Sequence, residues 1–275
     1  MISSKPIIVI RGLGVRRSGA QILRDIDWEV VDEENWVILG ANGSGKTSLL
    51  SCVTGYVTPS EGTIQVLDRQ YGKSDCRELR REIGLVSSSI RQWIEDRQTA
   101  LDIVASGRDA ELNLWRPATG TLKQEALSVL EQIECLALAH RPWMFLSQGE
   151  RQRVLIGRAL VASHRVLILD EPCAGLDPVA REKFLSFLDR LTRAEITPNL
   201  VFVTHHVEEI LPCFDKALVI RNGATLAKGT IGEVISSGVL SDAFGAEIKV
   251  RKSYRRYSLQ FGTLNPGYSV ELDQS

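Results

Sequence analysis

Residues 40–47, GANGSGKT, place three glycines, a lysine and a threonine in one short segment. This segment, here called the phosphate loop, fits the pattern G-x-x-x-x-G-K-[ST] and lies between an apolar run and a helical run, as the pattern requires. Glycine has no Cβ, so the loop N–H groups can approach phosphate oxygens closely. Lys46 would add a positive charge at the β and γ phosphates of a nucleotide, and the Thr47 hydroxyl would bind Mg²⁺. The predicted nucleotide-binding residues of this region are Gly40, Ala41, Asn42, Gly43, Ser44, Gly45, Lys46, Thr47 and Ser48.

A second group of reactive side chains follows the apolar run VLIL at residues 166–169. The run predicts a buried strand, and Asp170 and Glu171 would lie at its carboxyl end, where α/β sheets place their ligands. We expect Asp170 to hold Mg²⁺ through water, and Glu171 to orient or deprotonate an attacking water. An acidic pair after a strand is common, but together with the phosphate loop it strongly indicates nucleotide hydrolysis.

Residues 146–150, LSQGE, begin another helical run and are here called the LSQGE segment. Ser147 and Gly149 would form an anion site from free N–H groups, a hydroxyl and the positive end of the helix dipole. An ordinary serine N-cap would explain Ser147 but not Gly149, since glycine in a helix costs about 1 kcal/mol relative to alanine. The chain thus has more phosphate-binding groups than one γ-phosphate needs, whereas two copies that share two nucleotides would use them all.

These residues must be positioned by regular secondary structure. Along the sequence, short β-branched runs alternate with helical patterns, which predicts an α/β fold. Several runs are apolar throughout, as in buried parallel strands, whereas the first 30 residues and EGTIQVLD resemble antiparallel strands. We therefore expect a mixed β-sheet core with an antiparallel β part. Strand patterns are missing between residues 94 and 165, which predicts an inserted helical lobe. The expected division is a main domain at residues 5–230 and a C-terminal extension at residues 231–275, ending in a loose tail.

Composition narrows the class of protein. A chain of 275 residues with 44% hydrophobic residues can bury a sizeable core, and its net charge of −1 gives no general case for nucleic-acid binding. The five cysteines show neither C-x-x-C nor zinc spacing, which is typical of reduced cytosolic thiols. The first ten residues lack the features of a signal peptide, and no apolar stretch is long enough to cross a membrane, so work at a membrane needs a partner. The basic run KVRKSYRRY, residues 249–257, favours a solvated strand face over the alternative of contact with lipid headgroups or nucleic acid.

Five motifs, in this order and spacing, resemble the nucleotide-binding domain of ABC-type ATPases, a family of P-loop NTPases: GANGSGKT, LSQGE, VLILDEP, AGLD and VTHH. The resemblance covers about residues 7–230, and the LSQGE segment is similar to the family signature LSGGQ except at Gln148 and Glu150. It implies a head-to-tail dimer in which each ATP lies between one chain's phosphate loop and the other chain's LSQGE segment. It also implies that Asp177 of AGLD crosses the dimer interface and that His205 contacts the γ-phosphate.

Two positions depart from the family pattern. The family places an aromatic residue before the phosphate loop to stack on adenine, and alignment by the residues IL puts Arg17 there, whose guanidinium can also stack on a base. The family places a glutamine after an IG-x-V strand to bind Mg²⁺ and to sense the transport partner, and this chain has Ser88 there. A serine hydroxyl reaches less far, so this contact needs an intervening water or another side chain such as Gln92.

The resemblance also implies a function: an ATP-binding and ATP-hydrolysing, Mg²⁺-dependent subunit of an ABC transporter that acts through separate membrane permease subunits. It would lie in the cytoplasm, peripheral on the inner face of the cell membrane. Residues 239–250, VLSDAFGAEIKV, resemble the tail of ATPases from metal-chelate and oxyanion importers. The alternative is a soluble ABC ATPase that regulates or remodels cytosolic partners, for which Ser88 is the best support. A DNA-tethering ATPase would need a long coiled coil, which the sequence lacks, and a metabolic kinase would have no use for the LSQGE segment.

Overall fold

The computed structural model describes residues 5–72, 82–111, 113–162, 164–193 and 198–262. Its strands are β1 (Pro6–Arg17), β2 (Ala20–Val31), β3 (Trp36–Leu39), β4 (Glu61–Val66), β5 (Arg69–Gln70), β6 (Ile83–Ser87), β7 (Val166–Asp170), β8 (Asn199–Thr204), β9 (Lys216–Arg221), β10 (Ala224–Thr230), β11 (Ile248–Ser253) and β12 (Arg256–Phe261). Its α-helices are α1 (Lys46–Val53), α2 (Ser88–Arg91), α3 (Ala100–Ser106), α4 (Gly120–Gln132), α5 (Gln148–Leu160), α6 (Pro178–Leu191), α7 (Ile231–Val234) and α8 (Ser237–Phe244). Short 3-10 helices lie at Leu136–Leu138, Trp143–Phe145 and Val207–Glu209.

The central sheet has the order β10-β9-β3-β8-β7-β6 within the described ranges. All of its strands run parallel except β10, which is antiparallel to β9, so the predicted mixed sheet is confirmed. Strand β3 is buried along its whole length, because its residues WVIL offer apolar side chains to both faces of the sheet. The register pairs Leu39 with Thr204 and Ser87 with Asp170. The carboxyl ends of these parallel strands therefore meet at one edge, where ligand sites of open α/β sheets lie.

The predicted antiparallel part is a separate sheet of order β2-β1-β4-β5 in the described part of the chain. Its strands pair antiparallel throughout, as the N-terminal pattern predicts. Side chains from this sheet and from one face of the central sheet form a common apolar core. Trp28 of β2 and Trp36 of β3 meet edge to face there, with ring centroids 5.8 Å apart. The antiparallel sheet thus packs against the central sheet and does not extend it.

The helical character predicted for residues 94–165 is confirmed. The described residues of this span contain α3, α4 and α5 and no strand, apart from an isolated bridge between Thr99 and Pro142. Thr99 is the N-cap of α3, and its hydroxyl accepts a hydrogen bond from the N–H of Asp102, as expected of a capping threonine. Val104 and Leu130 are fully buried where these helices pack together, so the lobe has its own apolar contacts.

The described C-terminal part consists of α7, α8 and the hairpin β11–β12, and β11 agrees with the strand predicted in the basic run. Leu240 of α8 and Tyr257 of β12 belong to the same apolar core as the helical lobe. The prediction of a solvated basic strand face is confirmed for Lys249, Arg251 and Arg255, which are exposed. It is wrong for Arg256, which is only 30% exposed and forms an ion pair with an acidic side chain of α6.

Other predictions concern the C-terminal tail, the division of the chain into a domain and an extension, and membrane-spanning helices. The predicted loose tail lies outside the described residues from residue 263 onward, and the division of the chain at residue 230 stays a prediction. None of the helices that the structure describes is long and apolar enough to span a membrane.

Candidate functional site

The phosphate loop connects the end of β3 to the start of α1. Gly43 and Gly45 have φ angles of 76° and 110°, which glycine adopts without the penalty that a Cβ imposes. A Cβ on Gly40 would lie 2.3 Å from the carbonyl oxygen of Ile220, so this position has no room for a side chain. The N–H groups in the first turn of α1 have no carbonyl partner within the helix and carry the positive end of its dipole. The loop therefore presents bare donors to an anion.

A distant hairpin supports this loop. The N–H of Gly223, in the turn between β9 and β10, donates to the carbonyl of Ser44 at 2.9 Å. The carbonyl of Gly223 accepts from the N–H of Arg24 in β2 at 2.8 Å. Asn222 and Gly223 both have positive φ, as in a tight hairpin turn. The dipeptide NG signals such a turn in the sequence, but nothing in the sequence shows that the turn contacts the phosphate loop.

Lys46 is buried inside the loop, only 5% exposed. Its Nζ donates to the carbonyls of Gly40 and Ala41 at 2.9 and 3.1 Å, and lies 3.6 Å from Glu171 Oε1. Burial lowers the pKa of Lys46, and the nearby carboxylate of Glu171 opposes that shift. The hydroxyl of Ser44 is also buried and has no hydrogen-bond partner among the described residues. A buried ammonium and an unpartnered hydroxyl beside bare N–H groups are what a phosphate needs.

Asp170 ends β7 at the same edge of the sheet. It lines a cavity of about 370 Å³ together with Thr47, so the structure brings the two predicted Mg²⁺ ligands to one space. Burial and the charge of Glu171 raise the pKa of Asp170 to about 6, against the opposing effect of Lys46. Carboxylate and hydroxyl oxygens are ligands that Mg²⁺ prefers, and a divalent cation would offset the cost of burying this carboxylate. The donor types of these two residues therefore fit a magnesium ion.

Glu171 leaves the strand with a φ of 46°, a left-handed conformation that is uncommon for a residue with a side chain. Its N–H donates to the carbonyl of Val203 in β8 at 2.9 Å, which ties this backbone to the neighbouring strand. Its Oε1 lies 3.1 Å from His205 Nδ1. The turn directs the carboxylate of Glu171 toward both Lys46 and His205. Lys46, Asp170, Glu171 and His205 thus come together at one site, as predicted.

The LSQGE segment shows a feature that the sequence analysis missed. Ser147 is the N-cap of α5 and accepts a hydrogen bond from the N–H of Glu150, while the carboxylate of Glu150 accepts from the N–H of Ser147 at 2.7 Å. This reciprocal pair is a capping box, and its signal was the spacing S-x-x-E. A Cβ on Gly149 would meet nothing within 4 Å, so packing inside the chain gives no reason for a glycine there.

The LSQGE segment lies next to AGLD. The side-chain amide of Gln148 donates to the carbonyl of Ala174 at 2.6 Å. Asp177 is exposed and caps α6, because its carboxylate accepts from the N–H groups of Val179 and Ala180 at 2.9 and 3.0 Å. Ser147, Gly149 and Asp177 line one groove of about 1000 Å³, and this lining does not include Lys46, Asp170 or Glu171. The predicted site residues therefore fall into two sets on one chain.

The two positions that depart from the family pattern are less informative. Arg17 ends β1 and is exposed, just before a turn in which Ser18 and Gly19 have positive φ. Ser88 begins α2 directly after β6, but its side chain lies outside the described residues. Gln92, the other candidate for the same contact, is exposed.

A glycine loop between a central parallel strand and a helix, with an acidic residue at the end of a nearby strand, defines a P-loop nucleotide-binding protein. The chain belongs to the ABC transporter family, whose family model, described as ABC transporter, matches residues 23–174. The chain is 42% identical over 245 residues to the uncharacterized ABC transporter ATP-binding protein YlmA of Bacillus subtilis (strain 168), over 89% of this chain and 93% of the relative. It is thus an ATP-binding subunit and ATPase of the transporter type, and the soluble alternative is not supported.

Solved structures show the same fold. The protein cbiO1 of Clostridium perfringens, described as part of the ABC transporter complex cbiONQ, superposes with a TM-score of 0.74 at 25% identity, covering 86% of this chain and 93% of cbiO1. A dimeric ATP-binding cassette, MJ0796, in a post-hydrolysis state with ADP and phosphate, gives a TM-score of 0.68 at 22% identity, covering 82% of this chain and 98% of that chain.

Proposed function

We propose that two copies of this chain bind two ATP molecules between them. Each ATP would lie between the phosphate loop of one copy and the LSQGE segment of the other. The observation that carries this proposal is the separation of Ser147 and Gly149 from the buried site around Lys46. A head-to-tail arrangement would bring the two sets together, and the dimeric cassette with ADP and phosphate has the same fold as this chain.

The residues of the phosphate-loop site then have distinct roles. Lys46 and the N–H groups of the loop would bind the β and γ phosphates, and Thr47 and Asp170 would hold Mg²⁺. When bound, Mg²⁺ supplies charge neutralisation and alignment of the phosphates. Glu171 would orient the attacking water and accept its proton as the water oxygen attacks the γ-phosphorus and ADP leaves.

Three further residues complete the nucleotide site. His205 would contact the γ-phosphate from the same chain as Glu171, and Ser147 and Gly149 would contact it from the second chain. Asp177 caps α6 beside the LSQGE segment, so we propose that it also lies at the dimer interface. Closure of the dimer on ATP and its opening after hydrolysis would then supply the motion that drives transport.

The partners beyond the second copy are membrane permease subunits. The related protein cbiO1 is part of a transporter complex, and the described helices of this chain include none that could span a membrane. The chain would then lie on the cytoplasmic face of the membrane through these subunits. We propose residues 5–230 as the ATPase domain and residues 231–275 as an extension, of which residues 239–250 resemble the tail of ATPases from metal-chelate and oxyanion importers. No nucleic-acid partner is proposed.

The variant Glu171→Gln tests this function. It should keep its affinity for ATP and lose turnover by roughly 100-fold or more, the size of a general-base contribution. Because hydrolysis reopens the dimer, the variant should also accumulate as an ATP-bound dimer, measured by size exclusion with light scattering. Glu131→Gln, on the exposed face of α4, is the matched control and should turn over normally. Normal turnover in Glu171→Gln, or a monomer with and without ATP, would refute the proposal.

A further inference from the structure

Arg256, the first residue of β12, joins three elements that are distant in the sequence. Its Nε and Nη2 donate to the carbonyl of Glu208 at 3.2 and 2.5 Å. Its Nη1 and Nη2 each donate to one oxygen of the Glu182 carboxylate at 3.2 Å. Glu182 lies on α6, and Glu208 lies in the 3-10 helix Val207–Glu209, which directly follows His205 and His206. The Arg256 guanidinium thus connects the C-terminal hairpin to α6 and to the 3-10 helix Val207–Glu209.

A cation next to the Glu208 carbonyl stabilises the end of this 3-10 helix. Within the 3-10 helix, the carbonyls of His206 and Val207 accept from the N–H groups of Glu209 and Ile210. The carbonyl of Glu208 lies at the C-terminal end, where carbonyl groups lack helical partners and the dipole is negative. A guanidinium presents several N–H donors in one plane, so Arg256 can bind this carbonyl and a carboxylate simultaneously.

The other end of the same segment is held by Thr204. Its hydroxyl donates to Glu209 at 2.6 Å and accepts from the N–H of His206 at 3.0 Å. Glu209 is only 2% exposed, and burial raises its pKa. We call residues 204–209 the switch segment. The hydrogen bond between Thr204 and Glu209 joins the two ends of this segment, and Arg256 binds its backbone at Glu208. His205 lies between these fixed points.

We propose that Arg256 is a positioning residue that acts through the switch segment to hold His205 in place for ATP hydrolysis. This inference rests on the γ-phosphate role proposed for His205. The C-terminal hairpin lies outside residues 23–174, the part that the family model matches. Arg256 would contribute to turnover through the backbone of the switch segment, without touching the nucleotide.

The primary test is Arg256→Ala, measured as kcat and KM for ATP. Misplacing a catalytic group by about 1 Å can cost on the order of 100-fold, and since Thr204 and Glu209 still hold the segment, we expect a loss of about tenfold in kcat. KM should change by less than about twofold, because the phosphate loop is intact. Arg256→Lys should recover part of the loss. Arg255→Ala, an equal change of charge at an exposed neighbour, is the control and should keep full turnover.

Two further variants separate positioning from general stability. In a His205→Ala background, Arg256→Ala should add less than about a twofold loss, because both changes act on one contact. Glu182→Gln removes the ion pair with α6 but leaves the Glu208 contact, so its kcat should stay within about twofold of wild type. Three results would overturn the inference. They are an equal tenfold loss of kcat from Arg256→Ala in the wild-type and His205→Ala backgrounds, no loss of kcat from Arg256→Ala, or the same loss of kcat from Glu182→Gln. Normal turnover in His205→Ala alone would instead show that the proposed role of His205 is wrong.

Discussion

The two proposed phosphate-binding faces of this chain, the phosphate loop and the LSQGE segment, are built in different ways. The phosphate loop depends on distant residues, because Gly40 lies against Ile220 and Ser44 binds the N–H of Gly223. The LSQGE segment depends on its own sequence, because Ser147 and Glu150 satisfy each other's N–H groups across one turn. The phosphate loop is partly buried and formed by tertiary contacts, whereas the LSQGE segment is formed by contacts within one helical turn and is open.

This difference supports the proposal that the LSQGE segment is the face that needs a second chain. Lys46 already has carbonyl and carboxylate partners inside its own chain. Gly149 has open space around its missing side chain, so packing among the described residues does not require a glycine there, whereas the proposed contact with a second chain would. The three predictions that follow alter one face at a time.

The largest effect is expected for the buried face. Lys46→Met keeps much of the buried stem but removes the ammonium, and a hydrogen bond to a charged group contributes about 1.5–3 kcal/mol. We therefore expect ATP affinity to fall by about 10- to 100-fold, measured by isothermal titration calorimetry, together with turnover. Wild-type affinity in this variant would show that the buried site is not the phosphate site.

A substitution at the open face should separate stability from activity. Gly149→Ala adds a methyl where the chain has space, and alanine favours a helix over glycine by about 1 kcal/mol, so the melting temperature should rise. If the bare N–H groups meet a nucleotide held by the second chain, turnover and ATP-dependent dimerisation should fall, the former by about tenfold.

The matched control is Gly238→Ala. Gly238 is the second residue of α8, as Gly149 is of α5, and a Cβ there also meets nothing within 4 Å. It should raise stability similarly and leave turnover unchanged. If both variants turn over normally, the LSQGE segment does not contact nucleotide.

The smallest effect is expected for the capping box. Glu150→Ala removes one of its two hydrogen bonds and should cost about 1 kcal/mol, or about 2–4 °C in melting temperature. Burial would raise the pKa of Glu150, but hydrogen bonds from Ser147 outweigh it and hold the pKa below the ordinary 4.5. The extra stability of the wild type over Glu150→Ala should therefore be fully present above pH 4.5. It should be lost as the pH falls through the lower pKa that Glu150 has in the folded state. Glu131→Ala, on exposed α4, should show no such pH-dependent difference.

Much of the site could be predicted from the sequence, because it follows from local patterns. Apolar runs predict parallel strands, and such strands bring Thr47 and Asp170 to one edge even though more than a hundred residues separate them. The capping box was also readable, but Glu150 was interpreted only as a departure from the family signature. The roles of the predicted site residues stay predictions until the variants are measured.

Other features depend on contacts that no local pattern contains. Arg256 lies in a run of five cations, and the sequence does not distinguish it from its exposed neighbour Arg255. The structure does, because Glu182 and the Glu208 carbonyl, which bind Arg256, lie 74 and 48 residues away in the sequence. The left-handed turn at Glu171 likewise depends on its hydrogen bond to Val203 in the adjacent strand.

The hairpin turn at Gly223 has a consequence for biosynthesis. A nascent chain that has been synthesised as far as AGLD already contains the phosphate loop and Glu171. Strands β9 and β10 have not yet been synthesised at that point. The central strand β3 then lacks one neighbour, and Ser44 lacks the N–H that binds its carbonyl. We therefore expect full nucleotide affinity to arise late in translation, and a fragment that stops before residue 216 to bind nucleotide weakly although it contains all five motifs.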